Sequence, residues 1–141
     1  MIAYFDASAF VKLFKREPGS DDVREIWTDA DALVTSQLTY PEARSAIRRG
    51  LRAGKVPKDR YLRAVNDLDR FWSELLAPDV DAWIAASAGQ LADLYELSGA
   101  DAVHLATGLR SAGEDFVFVT WDRRLSDSAV ALGLQVVPAS I

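Results

Sequence analysis

The chain has 141 residues, half of them hydrophobic, and carries 16 basic and 21 acidic side chains for a net charge of −5. That length and apolar content suffice for one domain spanning residues 1–141 with its own core, and the lack of cysteine excludes a disulfide framework, thiolate metal ligation and a cysteine nucleophile. A cytoplasmic setting is expected, because Asp6 and Lys12 interrupt any apolar leader and the longest uncharged stretch, Ser128 to Ile141, contains Pro138 and falls short of the ~18 apolar residues of a membrane span.

The chain begins with a short apolar run, "IAYF", that ends on Asp6. Ala7 to Arg16 then places Phe10, Val11, Leu13 and Phe14 at helical spacing until Pro18-Gly19 stops it, and Ser20 is expected to cap a second helix with Val23, Ile26 and Trp27 on one face. "ALVTSQL" from Ala32 reads as a buried strand. Thr39-Tyr40-Pro41-Glu42 has the pattern of a helix start, with Thr39 as cap and Glu42 three residues later, and that helix is expected to run to Ala53 or Gly54.

"VPKDRYLRAVNDLDRFWSELLAP" predicts a further helix, ended by Pro78, with Tyr61, Val65, Leu68, Phe71 or Trp72, and Leu75 facing inward. Asp81 to Leu97 and Ala100 to Ala112 predict two helices broken at Ser98-Gly99. A strand from Phe116 to Trp121, a helix from Arg124 to Leu132 and a last strand in "LQVVP" complete the chain. There is no internal repeat, low-complexity tract or linker.

Continuous apolar strands alternating with helices imply an α/β fold with a parallel sheet covered on both faces, in which ligands bind at the carboxyl ends of the strands. Asp6 and Asp122 both terminate strands and so belong to one edge. Glu42 joins them if its helix follows "ALVTSQL" directly. Asp101 is expected at the opposite edge unless the two helices between Asp81 and Ala112 form a hairpin. Each acid also reads alone as a helix cap or first-turn acid, and His104, three residues after Asp101, reads as a packed, hydrogen-bonded core histidine.

Four converging acids without basic partners repel one another unless a cation lies among them, and in the metal-free state that repulsion should raise at least one carboxyl pKa. Oxygen-only ligation suits Mg²⁺ or Mn²⁺, and a single histidine with no cysteine makes zinc a poor fit. Such a site activates water toward a phosphodiester. Between Arg44 and Arg63 the chain has eight basic residues and one acid, so removing this +7 from the total of −5 leaves −12 for the remainder. Arg44, Arg48, Arg49 and Arg52 thus offer a basic stripe for RNA, or simply a solvated helix face.

The stretches "YFDASAFVKLF", "TYPEARSAI", "GADAVHLATGL" and "FVFVTWDRRLSDSAVALGLQVV" together make the chain resemble PIN-domain ribonucleases, most closely the VapC toxins of bacterial toxin-antitoxin pairs. The resemblance implies a five-stranded parallel sheet flanked by helices. It implies Asp6, Glu42, Asp101 and Asp122 as a catalytic quartet around Mg²⁺ or Mn²⁺, with Asp6, Asp101 and Asp122 as metal ligands and Ser8 and Thr120 as supporting hydroxyls. It further implies RNA as substrate, a small VapB-like antitoxin as partner, and a homodimer. Two other readings use the same residues: a catalytically silent binding module of this fold, and a phosphoacceptor signalling domain, whose chemistry expects a late lysine where this chain has none after Lys58.

Overall fold

A computed structural model describes residues 1–141. The elements follow in the order β1 (Ile2–Phe5), α1 (Ala7–Phe10), a 3₁₀ turn (Val11–Leu13), α2 (Ser20–Asp29), β2 (Ala32–Val34), α3 (Thr39–Arg52), α4 (Lys58–Trp72), α5 (Ala82–Tyr95), α6 (Gly99–Ser111), β3 (Phe116–Val119), α7 (Arg123–Ala131) and β4 (Val136–Val137). All strand pairs are parallel, in the order β2-β1-β3-β4. The expected fifth strand is not formed: beyond β2 the chain makes only an isolated parallel bridge between Val34 and Leu76. Pro78, two residues after Leu76, has no N–H with which to extend that ladder.

The strands are buried on both faces because each side is covered by helices. Tyr4, Phe116 and Phe118 pack with Ile84, Ala88, Leu105, Ala106 and Leu125 from α5, α6 and α7. Ala3, Phe5, Val117 and Val119 alternate with them and pack on the other side against Phe10, Val23, Trp27 and Leu68. Period-two alternation thus divides four-residue strands between two cores. No helix is long and apolar enough to cross a membrane.

Local chemistry sets three helix starts and corrects the expected caps of α2 and α3. Gly19, at φ 89°, rather than Ser20, stands at the N-cap of α2. Ser98, not Asp101, caps α6, accepting from the Asp101 N–H. At α3 the expected pairing of Thr39 with Glu42 does not occur: Leu38 takes the N-cap position, and the buried Thr39 hydroxyl lies 2.7 Å from that of Thr35. Thr35 in turn donates to the Phe5 carbonyl at 2.6 Å, tying the start of α3 to the end of β1. Glu42 is therefore free of a capping role.

α5 and α6 form an antiparallel hairpin, since Asp81 at the start of α5 is ion-paired with Arg110 in the last turn of α6 at 2.8 Å. This returns the start of α6, with Asp101, to the carboxyl edge of the sheet.

Candidate active site

Asp6 is the best-anchored acid of the chain. β1 ends one residue before it, it caps α1, and only 4% of its surface is exposed. One oxygen accepts from the Ala9 N–H at 2.9 Å and the Ser8 hydroxyl at 2.7 Å; the other accepts from Thr120 at 2.7 Å. Both hydroxyls are themselves acceptors. Ser8 takes the Trp121 N–H at 2.8 Å, and Thr120 takes the Asp122 N–H at 3.0 Å. The two hydroxyls expected to support the site thus join Asp6 to the backbone after β3, across the central β1–β3 pair.

Asp122 follows β3, caps α7 through the Leu125 N–H at 2.9 Å, and is partly exposed. Asp101, in the first turn of α6, lies near enough to Asp122 and Glu42 for both to raise its pKa, although burial is the larger cause. Glu42, in the first turn of α3, reaches His104 on α6 at 2.6 Å. Asp6, Asp101 and Asp122 have no Lys or Arg ion partner, and the only ion-pair partner of Glu42 is that histidine.

The four acids therefore occupy one neighbourhood at the carboxyl edge, yet no three Asp, Glu or His side chains converge closely enough to hold a metal ion. The expectation of a gathered quartet is corrected in that respect, and the reason is visible: Asp6 is engaged by Ser8, Ala9 and Thr120, Asp122 by its helix, and Glu42 by His104. By donor chemistry the set still fits a hard divalent cation. It offers oxygen only, lacks ion-paired lysine or arginine at the three aspartates, and resembles sites where Mg²⁺ uses one or two carboxylates and retains waters rather than filling a protein cage.

His104 is the residue whose role the sequence understated. It is a buried core histidine, as read, and is also hydrogen-bonded to a site acid. The i, i+3 spacing from Asp101, which sets both on one side of α6, is a signal only that His104 lies on the side of the helix that carries a site acid.

Beside the acids, Arg44, Arg48, Arg49 and Arg52 project from α3, and none is paired with a carboxylate. Arg44 donates to the Tyr40 hydroxyl at 3.1 Å, and the Arg48 guanidinium lies 5.6 Å from the Tyr61 ring centroid on α4. Arg48, Arg49 and Arg52 are exposed.

The PIN domain family model matches residues 3–130. Ribonuclease VapC45 of Mycobacterium tuberculosis (strain CDC 1551 / Oshkosh) is 39% identical over 140 residues, covering 99% of this chain and 97% of the relative. Among solved structures, PAE2754 from Pyrobaculum aerophilum superposes with a TM-score of 0.74 at 22% identity, covering 97% of this chain and 84% of the other. A toxin-antitoxin complex from Klebsiella pneumoniae gives 0.66 at 19%, covering 99% of each chain. The chain belongs to the PIN-domain family, among the VapC ribonucleases.

Proposed function

We propose that the protein is a Mg²⁺- or Mn²⁺-dependent endoribonuclease, a single PIN domain acting in the cytoplasm as the toxin of a toxin-antitoxin pair. The observation that carries this reading is the set of acids at the carboxyl edge, three of them without a basic partner, beside a stripe of arginines that also lack carboxylate partners. The name of the Mycobacterium tuberculosis relative supplies the ribonuclease class, and the solved Klebsiella pneumoniae toxin-antitoxin complex supports an antitoxin partner, VapB-like as the resemblance implies. Homodimerisation remains part of the proposal.

Asp101 and Asp122, with Asp6 behind them, would hold the cation. When bound, it supplies charge neutralisation at the phosphodiester and a more acidic water. Glu42 is suited to take the proton of the attacking water, because one of its oxygens is held by His104 and its side chain is 36% exposed. Ser8 and Thr120 fix the Asp6 carboxylate through the backbone of Trp121 and Asp122. Between Glu42 and Arg52 helix α3 extends about 15 Å, at ~1.5 Å per residue, so the arginines offer contacts to several successive phosphates of a strand lying along it.

The test is cleavage of structured and unstructured RNA by the purified protein with Mg²⁺, with Mn²⁺ and with excess chelator. Cleavage is expected only with metal, and Asp101→Asn should abolish it while leaving the circular dichroism spectrum unchanged. Full activity in chelator, or in that variant, would contradict the proposal.

A further inference from the structure

One polar path runs through the otherwise apolar core between β1 and α6. Tyr4 is fully buried, with its ring stacked on Phe118 at 4.9 Å between centroids and 16° between planes. Its hydroxyl lies 2.8 Å from Nδ1 of His104, which is 1% exposed, and Nε2 of His104 lies 2.6 Å from Oε1 of Glu42 on α3. Core packing alone does not require this arrangement. A buried imidazole needs partners for two nitrogens, and here the second partner is a half-exposed carboxylate 62 positions away that makes no other side-chain hydrogen bond.

We infer that His104 is a positioning residue, held by Tyr4, which holds the Glu42 carboxylate in its working orientation between α6 and α3. An ionised carboxylate only accepts, so Nε2 carries the hydrogen and, in the neutral ring, Nδ1 accepts from the Tyr4 hydroxyl. The stacked Tyr4 ring fixes the imidazole, and the imidazole fixes Oε1. Oε2 makes no hydrogen bond. A free glutamate turns about three bonds, whereas this one is restrained at its tip by a group that cannot itself rotate without leaving Tyr4. His104 thereby connects the helix that carries Asp101 to the helix that carries Glu42.

The inference rests on the nuclease reading for its consequence in catalysis, but not for its geometry. Two amide replacements separate the ring's functions: His104→Gln brings an N–H near the Nε2 position, and His104→Asn brings one only near Nδ1. With RNA and Mn²⁺, His104→Gln should keep kcat within about threefold of the parent, and His104→Asn should lower it roughly ten- to a hundredfold, as for other residues that orient site ligands. KM should be unchanged in both, because neither touches the arginine stripe. Melting temperatures of the two variants should be similar, which a purely structural role does not predict together with different kcat values.

His104 is the only histidine, so its ring nitrogens give unambiguous NMR signals without reference to activity. The parent should show hydrogen on Nε2, and Glu42→Ala should shift that resonance upfield as its short hydrogen bond is lost. Hydrogen on Nδ1 with none on Nε2, or an Nε2–H signal unmoved by Glu42→Ala, would overturn the inference. So would equal kcat values for His104→Asn and His104→Gln. A parent protein that cuts no RNA in any metal overturns the nuclease reading and with it a role for His104 in cleavage; the NMR result then still decides whether His104 holds Glu42.

Discussion

Asp6 is almost wholly withdrawn from solvent, and loss of hydration raises its carboxyl pKa more than His104, Thr120, Ser8 and the Ala9 N–H lower it. Asp101 is raised in the same direction, first by burial and then by Asp122 and Glu42, against the lowering effects of Ser98 and His104. Repulsion among the acids is real at Asp101 but is the smaller cause there. In the metal-free protein both groups bind more protons folded than unfolded, so their contribution to stability is fullest below the unfolded pKa of ~3.9 and is lost as pH rises through the raised folded value. Asp101→Asn should therefore raise the melting temperature in chelator more at pH 7 than in acid, and reduce the gain on adding Mn²⁺. A variant that melts below its parent in chelator would show that Asp101 stabilises the fold instead. A separate residue carries backbone strain. Glu96, exposed at the end of α5, adopts φ 54° and ψ 41°, a left-handed conformation that costs little only for glycine. Its carbonyl, which accepts from Arg124 at 3.1 Å, is unaffected by its side chain. Glu96→Gly is expected to stabilise the protein by about 0.5–1 kcal/mol, measurable as a higher urea midpoint with an unchanged slope.

Helix α6 depends on a missing side chain to reach the sheet. A Cβ at Gly108 would stand 2.5 Å from Cε2 and 2.7 Å from Cδ2 of Phe118, the ring on which Tyr4 stacks. Alanine gains about 1 kcal/mol in helix propensity over glycine, but overpacking here costs ~1–3 kcal/mol. Gly108→Ala should thus be net destabilising by up to about 2 kcal/mol, and should also weaken RNA cleavage by displacing His104 and Asp101 on the same helix. Elements of this kind were partly legible in the sequence. The residue pattern gave four strands, all formed, because β-branched and aromatic runs between turn residues leave little alternative; the fifth came from family resemblance and is reduced to the bridge at Leu76. Asp6 and Asp122 were readable as strand endings. Thr39 misled, because its apparent cap signal conceals a buried hydroxyl contact with Thr35 that only tertiary structure reveals. The edge occupied by Asp101 hung, on local grounds, on whether α5 and α6 form a hairpin, and they do; a helix feeding a parallel strand runs opposite to it and starts where the strands end. The link from His104 to Glu42 spans 62 positions, and no local period encodes such a contact.

The whole molecule is acidic, yet RNA is expected to meet its basic side. If Arg48, Arg49 and Arg52 each displace one counterion from a single strand, replacing all three with glutamine should reduce the slope of log affinity against log salt by about 2, at ~0.7 per phosphate. An unchanged slope would assign this face to solvent or to the antitoxin. The network around Asp6 has a different consequence, in the timing of synthesis. Ser8 and Thr120 meet over 112 positions, and Asp6 and Thr120 over 114, so the site is completed by residues made more than a hundred positions after its first acid. β1 forms its central pair only when β3 has appeared, and such distant pairings form late because a long loop must close first. A growing chain therefore contains Asp6, Glu42 and Asp101 well before it has Thr120 and Asp122 to complete their edge. A chain built in this order is expected to gain activity only once β3 and the residues after it have been made. A chain truncated after Gly113 should cut no RNA with any metal, whereas cleavage by that fragment would mean that the first three acids suffice and that the cell is exposed to the activity before synthesis ends.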